Sequence, residues 1–119
     1  MSRSVITTHI LDTQRGRPAT GVETRLYKSA SADISLPDWQ LMASAETNDD
    51  GRIIDWLGDQ KREAGLYKLE FATGAYYAQQ GITTLYPQVD ILFVIDAPDE
   101  HYHVPLLLSA NGYSTYRGS

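Results

Sequence analysis

Short apolar runs rich in β-branched and aromatic residues recur about every ten residues along the chain, and turn-forming residues separate them. This rhythm is typical of a β-sandwich or a β-barrel. It predicts eight strands, over residues 5–11, 23–29, 39–45, 52–56, 65–72, 89–95, 102–109 and 113–117. The fold class that follows from this pattern is all-β.

Three short segments interrupt or join these strands. Residues 73–81 predict one short helix, with Thr73 able to cap its start and Gly81 able to end it. Residues 48–51 read Asn-Asp-Asp-Gly and predict a tight turn directly before Arg52, because these residue types tolerate positive φ. Residues 110–112 are expected to join the last two strands as a hairpin.

The alternation of side chains along a strand assigns the first and penultimate strands two faces each. Their core faces are predicted to carry Ile6, Ile10, Tyr102, Val104, Leu106 and Leu108. His9 and His103 fall on the opposite faces, together with Thr7, Leu11, Pro105, Leu107 and Ser109. A mixed surface of this kind is found at subunit interfaces and ligand clefts, but also on plain outer sheet faces, and the pattern leaves both interpretations open.

Composition narrows the possible functions. The chain has 119 residues, of which 42% are apolar and 21% charged, which suits a single domain over residues 1–119 that needs no disulfide or metal to fold. It has no cysteine, which excludes thiol catalysis. A formal charge of −5 without a basic patch argues against nucleic-acid binding. No apolar run has the length of a signal peptide or of a membrane span, so we expect a cytoplasmic protein without a membrane partner.

Four positions carry candidate chemistry. His9 and His103 could exchange protons with water near neutral pH. Arg52 could hold a planar, urea-like ring and stabilise developing negative charge. The tail, residues 116–119, could supply an aromatic ring at Tyr116 and a hydroxyl at Ser119. Taken singly, each feature also has an ordinary explanation: strand histidines, a surface ion pair and a frayed terminus.

A metal site is the alternative use of the histidines. His101 and His103 form a His-x-His step that, with His9, could give three imidazoles for zinc. We predict no metal and no cofactor, because His-x-His is common by chance. The chain has no Gly-x-Ser-x-Gly elbow, no dinucleotide fingerprint and no P-loop.

Several stretches together resemble one family, the 5-hydroxyisourate hydrolases, which are the transthyretin-like proteins of urate breakdown. They are residues 8–12 with 16–19 (THILD and GRPA), residues 47–52 (TNDDGR), residues 101–109 (HYHVPLLLS) and residues 112–119 (GYSTYRGS). The resemblance covers nearly the whole chain, and the final Tyr-Arg-Gly-Ser separates these enzymes from hormone-carrying transthyretins. One departure is Ala110-Asn111, where the family usually has proline.

The resemblance implies a two-sheet sandwich of about eight strands with one short helix. It also implies a homotetramer, a dimer of dimers around a channel. His9, Arg52, His103 and the 116–119 tail would line clefts where subunits meet. The implied reaction is hydrolysis of 5-hydroxyisourate, a small-molecule substrate, to 2-oxo-4-hydroxy-4-carboxy-5-ureidoimidazoline, without a metal.

The resemblance also implies roles for individual residues. His103, helped by His9, would orient and deprotonate water, and which of the two is the base stays open. Arg52 would hold the heterocycle and stabilise charge, Tyr116 would position the ring, and Ser119 would donate hydrogen bonds. The alternative functions are a carrier of small molecules on the same fold, a metal-dependent hydrolase, and a structural domain.

Overall fold

The computed structural model describes residues 5–58 and 63–119. Within them the chain forms nine strands and one helix. In chain order these are β1 Ile6–Asp12, β2 Arg17–Pro18, β3 Glu23–Ser29, β4 Trp39–Glu46, β5 Arg52–Ile53, β6 Gly65–Phe71, α1 Thr73–Ala78, β7 Val89–Ile95, β8 Tyr102–Ser109 and β9 Gly112–Thr115. No helix in these two segments is long and apolar enough to cross a membrane.

The strands form two sheets. The first has the order β2-β1-β8-β9, with the short β5 also paired to β1. The second has the order β4-β3-β6-β7 and is antiparallel throughout. In the first sheet β1 and β8 run parallel along the full length of β1, which brings an early and a late strand of the chain side by side. The predicted all-β, two-sheet sandwich with one short helix is confirmed.

The core lies between the sheets and is built from the alternating faces predicted from the sequence. Ile6 and Ile10 of β1 and Leu106 and Leu108 of β8 are buried against residues of the second sheet such as Leu69. Burying an aliphatic side chain of this size stabilises the fold by roughly 1.5–3 kcal/mol. This packing fixes β1 and β8 as a rigid platform and turns their other faces outward.

A buried carboxylate ties the helix to the end of β1. Asp12 is fully buried and accepts hydrogen bonds from the hydroxyls of Tyr76 (2.8 Å) and Tyr77 (3.3 Å) on α1. Two backbone N–H groups of the following loop, at Gln14 and Arg15, also donate to it. Burial, and then the Asp12 charge, raise the pKa of Tyr77, so this phenol stays protonated and donates its hydrogen bond.

The structure corrects several predicted elements. The strand predicted over 52–56 stops at Ile53, because Trp56 turns its indole Nε1 to the backbone oxygen of Ile6 (2.9 Å) and leaves the sheet edge. The last strand ends at Thr115 rather than at 117, although the tail continues beside β8 as far as an isolated antiparallel bridge between Gly118 and His103. The two-residue strand β2 was missed, since Arg17-Pro18 carries no alternating pattern.

The helix is shorter than predicted, and the Thr73 cap is wrong. α1 ends at Ala78, and Thr73 lies inside its first turn, where its hydroxyl donates to the Tyr86 backbone oxygen instead of capping the helix. Gly81 does close the helical segment: it has φ +69°, and the N–H of Ile82 reaches back to the Tyr77 oxygen at 3.0 Å.

Candidate active site

The outer face of the first sheet gathers the predicted site residues through strand register. His9 of β1 pairs with Arg52 of β5 on one side, and Thr7 of β1 pairs with His103 of β8 on the other. Directly paired residues project from the same face of a sheet, as do residues two apart on one strand. His9, Arg52 and His103 therefore project from one face, while Thr8 and Ile53, which also pair, are buried on the core side.

The turn before β5 fixes the position of Arg52. The Asn48 side-chain oxygen accepts hydrogen bonds from the backbone N–H of Asp50 (2.9 Å) and of Arg52 (3.0 Å). Gly51 has φ +73°, and a Cβ there would lie 2.5 Å from the backbone oxygen of Ile10. The oxygen of Gly51 in turn accepts the Ile10 N–H at 2.7 Å. The Asn-Asp-Asp-Gly turn thus anchors β5 to the middle of β1, next to His9.

His9 lies in an environment that favours its neutral form. Partial burial lowers the pKa of its imidazole below the ordinary value of 6.5, and the positive charge of Arg52 lowers it further. A hydrogen bond to the Asp50 backbone and the Asp50 charge oppose these effects in part. A neutral imidazole at pH 7 can accept a proton from water.

A threonine that carried no predicted role connects the other two histidines. The Thr7 hydroxyl oxygen lies 2.8 Å from Nδ1 of His103 and 3.0 Å from Nε2 of His101. The two imidazoles are nearly parallel, with centroids 6.4 Å apart. Thr7 is 1% exposed, so this hydroxyl is shielded from water. The sequence signal that could have revealed it is its position two residues before His9, on the face that carries the histidines.

The C-terminal tail continues alongside β8 in the register of β9. The N–H of Gly118 donates to the backbone oxygen of His103 at 2.8 Å, which makes an isolated bridge between them. A Cβ at position 118 would lie 2.5 Å from Cδ2 of His103, so only glycine fits against this ring. Arg117 holds the tail beside β8, because its guanidinium lies 4.2 Å from the ring centroid of Tyr102 and 2.9 Å from the Glu100 carboxylate. Ser119 follows and is exposed.

Tyr116 borders a cavity that His9 and His103 do not line. Tyr116 is 58% exposed and lines a 330 Å³ cavity between the edge strands, together with Phe93 of β7 and Val104 of β8. A second cavity, of 480 Å³, lies near Lys28 and Met42 on the other sheet. Neither cavity is lined by His9, Arg52 or His103.

The metal alternative requires three ligands in one place. Among residues 5–58 and 63–119, no three His, Asp or Glu side chains are grouped closely enough to hold a metal ion. One ring nitrogen of His101 and one of His103 instead lie within hydrogen-bond distance of the same Thr7 hydroxyl.

Comparison with known proteins gives a consistent result. A family model described as HIUase/Transthyretin family matches residues 6–118. The probable 5-hydroxyisourate hydrolase of Schizosaccharomyces pombe is 44% identical over 115 residues, which cover 96% of this chain and 90% of that protein. The structure of Klebsiella pneumoniae 5-hydroxyisourate hydrolase superposes with a TM-score of 0.81 at 36% identity and covers 100% of both chains. Sea bream transthyretin in complex with thyroxine superposes with a TM-score of 0.84 at 29% identity, over 97% of this chain and 95% of that one. The chain belongs to the HIUase/transthyretin family.

Proposed function

We propose that this protein is an enzyme that hydrolyses 5-hydroxyisourate to 2-oxo-4-hydroxy-4-carboxy-5-ureidoimidazoline, a step in urate and hence purine breakdown. The observation that carries the proposal is the shared outer face of β1, β5 and β8, from which two imidazoles and a guanidinium project. The tail that bridges to His103 supports it. Relatives that carry the name of this activity span nearly the whole chain.

The proposed reaction begins with a water molecule on this face. As the water oxygen bonds to a ring carbonyl carbon of the substrate, an imidazole takes one of its protons. Collapse of the tetrahedral intermediate breaks the carbon–nitrogen bond, and the same imidazole returns its proton to the leaving nitrogen. His103, helped by His9, is assigned this proton transfer.

The other residues hold the substrate and its charge. The guanidinium of Arg52 holds the heterocycle and stabilises the negative charge that develops on its oxygens. Tyr116 positions the ring and Ser119 donates hydrogen bonds. In the single chain Tyr116 borders a cavity that His9, Arg52 and His103 do not line. Its proposed role therefore depends on the proposed assembly of subunits.

The direct test follows the absorbance of freshly generated 5-hydroxyisourate with and without the protein. Since the substrate also decays in buffer, the buffer rate is subtracted. A protein-dependent acceleration supports the proposal, and a rate equal to that of buffer removes the enzymatic interpretation.

The reaction is proposed to need no metal. Activity that survives dialysis against a chelator, with metal content measured on the same sample, is the expected result. Activity that is lost on chelation and restored by zinc would contradict this part of the proposal.

We also propose a homotetramer, a dimer of dimers, and a cytoplasmic location. The outward face of the first sheet would then line a cleft between subunits. Light scattering at micromolar concentration is expected to give about four times the 13.3 kDa mass of the chain. A monomer with full activity would show that the site is complete in one chain.

A carrier function on the same fold is the second candidate, and the close superposition on transthyretin bound to thyroxine favours it. A carrier would bind an aromatic small molecule and leave it unchanged. Tight binding of thyroxine without any turnover of 5-hydroxyisourate would support the carrier and contradict the hydrolase.

A further inference from the structure

We infer that Thr7 is a positioning residue of the proposed hydrolytic site, whose single hydroxyl proton forces His101 and His103 to adopt the same tautomer. The inference rests on the proposed function for its catalytic consequence. Its structural content, the coupling of two imidazoles through one hydroxyl, stands on the geometry alone.

The Thr7 hydroxyl and the two imidazoles have few protons to share. A hydroxyl carries one proton, which it can donate, and lone pairs, which can accept. The Thr7 oxygen lies within hydrogen-bond distance of one nitrogen on each ring, Nδ1 of His103 and Nε2 of His101. It can therefore donate to one ring only.

The other ring must then donate to the hydroxyl. If both rings donated, the Thr7 proton would have no acceptor, because no further hydrogen bond of this hydroxyl occurs with any residue of the described segments. Thr7 is 1% exposed, so water does not replace the missing partner. A buried polar group without a partner costs about 1–3 kcal/mol. One donor ring and one acceptor ring is the arrangement that satisfies all three groups.

Because Thr7 contacts Nε2 of His101 but Nδ1 of His103, the two neutral rings must adopt the same tautomer. When Thr7 donates to His101 Nε2, the proton of neutral His101 is on Nδ1, and His103 donates through its own Nδ1–H. When Thr7 donates to His103 Nδ1, both rings carry their protons on Nε2. The hydroxyl thus selects between two states of the pair and excludes the mixed states.

Only the first state makes His103 a base at Nε2. With its proton on Nδ1, held by Thr7, neutral His103 is unprotonated at Nε2, and this is the nitrogen that can take up a proton. In the second state Nε2 carries a proton and can only give one. A buried partner that fixes the tautomer of a catalytic imidazole is an established way to prepare it as a base. We assign the Nδ1–H state to the resting protein.

His101 thereby gains a defined part in the reaction. After His103 takes up a proton at Nε2, its Nδ1 proton can move to the Thr7 oxygen as the Thr7 proton moves to Nε2 of His101. His103 is then neutral, and the positive charge is on His101. The reverse movement returns the proton to Nδ1 of His103 when Nε2 protonates the leaving nitrogen, so the cycle has no net proton change at either ring.

The test compares Thr7→Val, which keeps the shape of the side chain and removes the hydroxyl, with Thr7→Ser, which keeps the hydroxyl. Thr8→Val is the matched control, because Thr8 is the adjacent buried threonine, and its hydroxyl donates to the Val104 backbone oxygen on the core side. Long-range ¹H–¹⁵N correlation spectra report histidine tautomers, and the chain has only three histidines to assign.

In the unmodified protein, neutral His101 and His103 are expected to show the Nδ1–H pattern together. Thr7→Val is expected to shift both rings towards Nε2–H and to lower kcat by about 10- to 100-fold, part of what a positioned base supplies, with KM nearly unchanged. Thr7→Ser is expected to restore both the tautomers and kcat to within about threefold, since it returns the hydroxyl that positions the base. Thr8→Val is expected to change thermal stability but neither tautomers nor kcat.

Unequal tautomers in the unmodified protein, or unchanged tautomers in Thr7→Val, would overturn the inference. So would a loss of kcat in Thr8→Val as large as that in Thr7→Val. The spectra need no substrate, so they decide the coupling even if the unmodified protein does not turn over 5-hydroxyisourate, which would contradict the proposed function alone.

Discussion

His9 shows how a single side chain on this face is prepared for proton transfer. Burial and the Arg52 charge both lower the pKa of its imidazole, with Asp50 opposing them in part. The sequence could place a histidine and an arginine on this surface through strand alternation and the tight turn. It could not show that they are direct neighbours, because β1 and β5 are about forty residues apart and their register depends on the folded sheet.

The lowered pKa of His9 predicts the direction of its pH dependence. Since the folded value lies below the unfolded value of 6.5, the native state binds fewer protons in that window, and stability is lost as the pH falls from 6.5 through the folded pKa. In an NMR titration His9 is expected to have its midpoint below 6.5. Arg52→Ala should raise that midpoint. A midpoint above 6.5 in the unmodified protein would contradict this description of the site.

Arg52 itself is predicted to act on the substrate and not on the fold. Arg52→Ala is expected to lower kcat/KM by about 10²–10³-fold, the usual cost of a lost charge-stabilising donor, with little change in melting temperature. Arg25→Ala is the control, because Arg25 is a partly exposed arginine on β3 of the other sheet, paired with Glu23. Equal kinetics for the two variants would show that Arg52 is an ordinary surface residue.

At the scale of elements, two glycines allow close packing around the site. Gly51, in the turn before β5, lies against the backbone of β1, and Gly118, in the tail, lies against the ring of His103. The sequence identified the 48–51 turn from its composition, and the hairpin from its Ala-Asn-Gly junction. It did not identify the bridge of Gly118 to His103, because Tyr-Arg-Gly-Ser has no alternating pattern and its position depends on the contacts of Arg117 with Tyr102 and Glu100.

Gly51→Ala is predicted to destabilise the protein more than Gly16→Ala. Both glycines have positive φ, +73° and +70°, which costs an alanine about 1–2 kcal/mol. Only at Gly51 would the added Cβ also meet a backbone oxygen, that of Ile10, while nothing lies within 4 Å at Gly16. Thermal unfolding should place the loss at Gly51 on the order of 3 kcal/mol. Equal losses would mean that β5 is not fixed by this contact.

Gly118→Ala is predicted to affect activity more than stability. Its Cβ would meet the ring of His103, so either the tail or the imidazole must move. We expect kcat to fall at least tenfold, as a displaced base would require, with a nearly unchanged melting temperature. Gly112→Ala, whose Cβ would meet its nearest neighbour at 3.8 Å, is expected to keep its activity. Full activity in Gly118→Ala would show that the tail does not position the site.

At the scale of the whole molecule, the parallel pairing of β1 with β8 joins the beginning and the end of the chain. The other strand pairings within residues 5–58 and 63–119 are antiparallel, and the parallel pairing of β1 with β8 is what sets Thr7 beside His103, with His9 two residues further along β1. Periodicity predicted which face each residue takes, because alternation is local. It could not predict the pairing of strands almost a hundred residues apart, so Thr7 went unrecognised until the register was known.

The central claim is that this shared face carries out hydrolysis, and it is tested most directly by the rate of 5-hydroxyisourate loss with the unmodified protein and with His103→Asn. The unmodified protein is expected to raise the rate above that of buffer. For His103→Asn, which should still fold, the protein-dependent part of the rate is expected to be about 10²–10⁴-fold lower. No acceleration by the unmodified protein, or equal rates for the two proteins, would contradict the account.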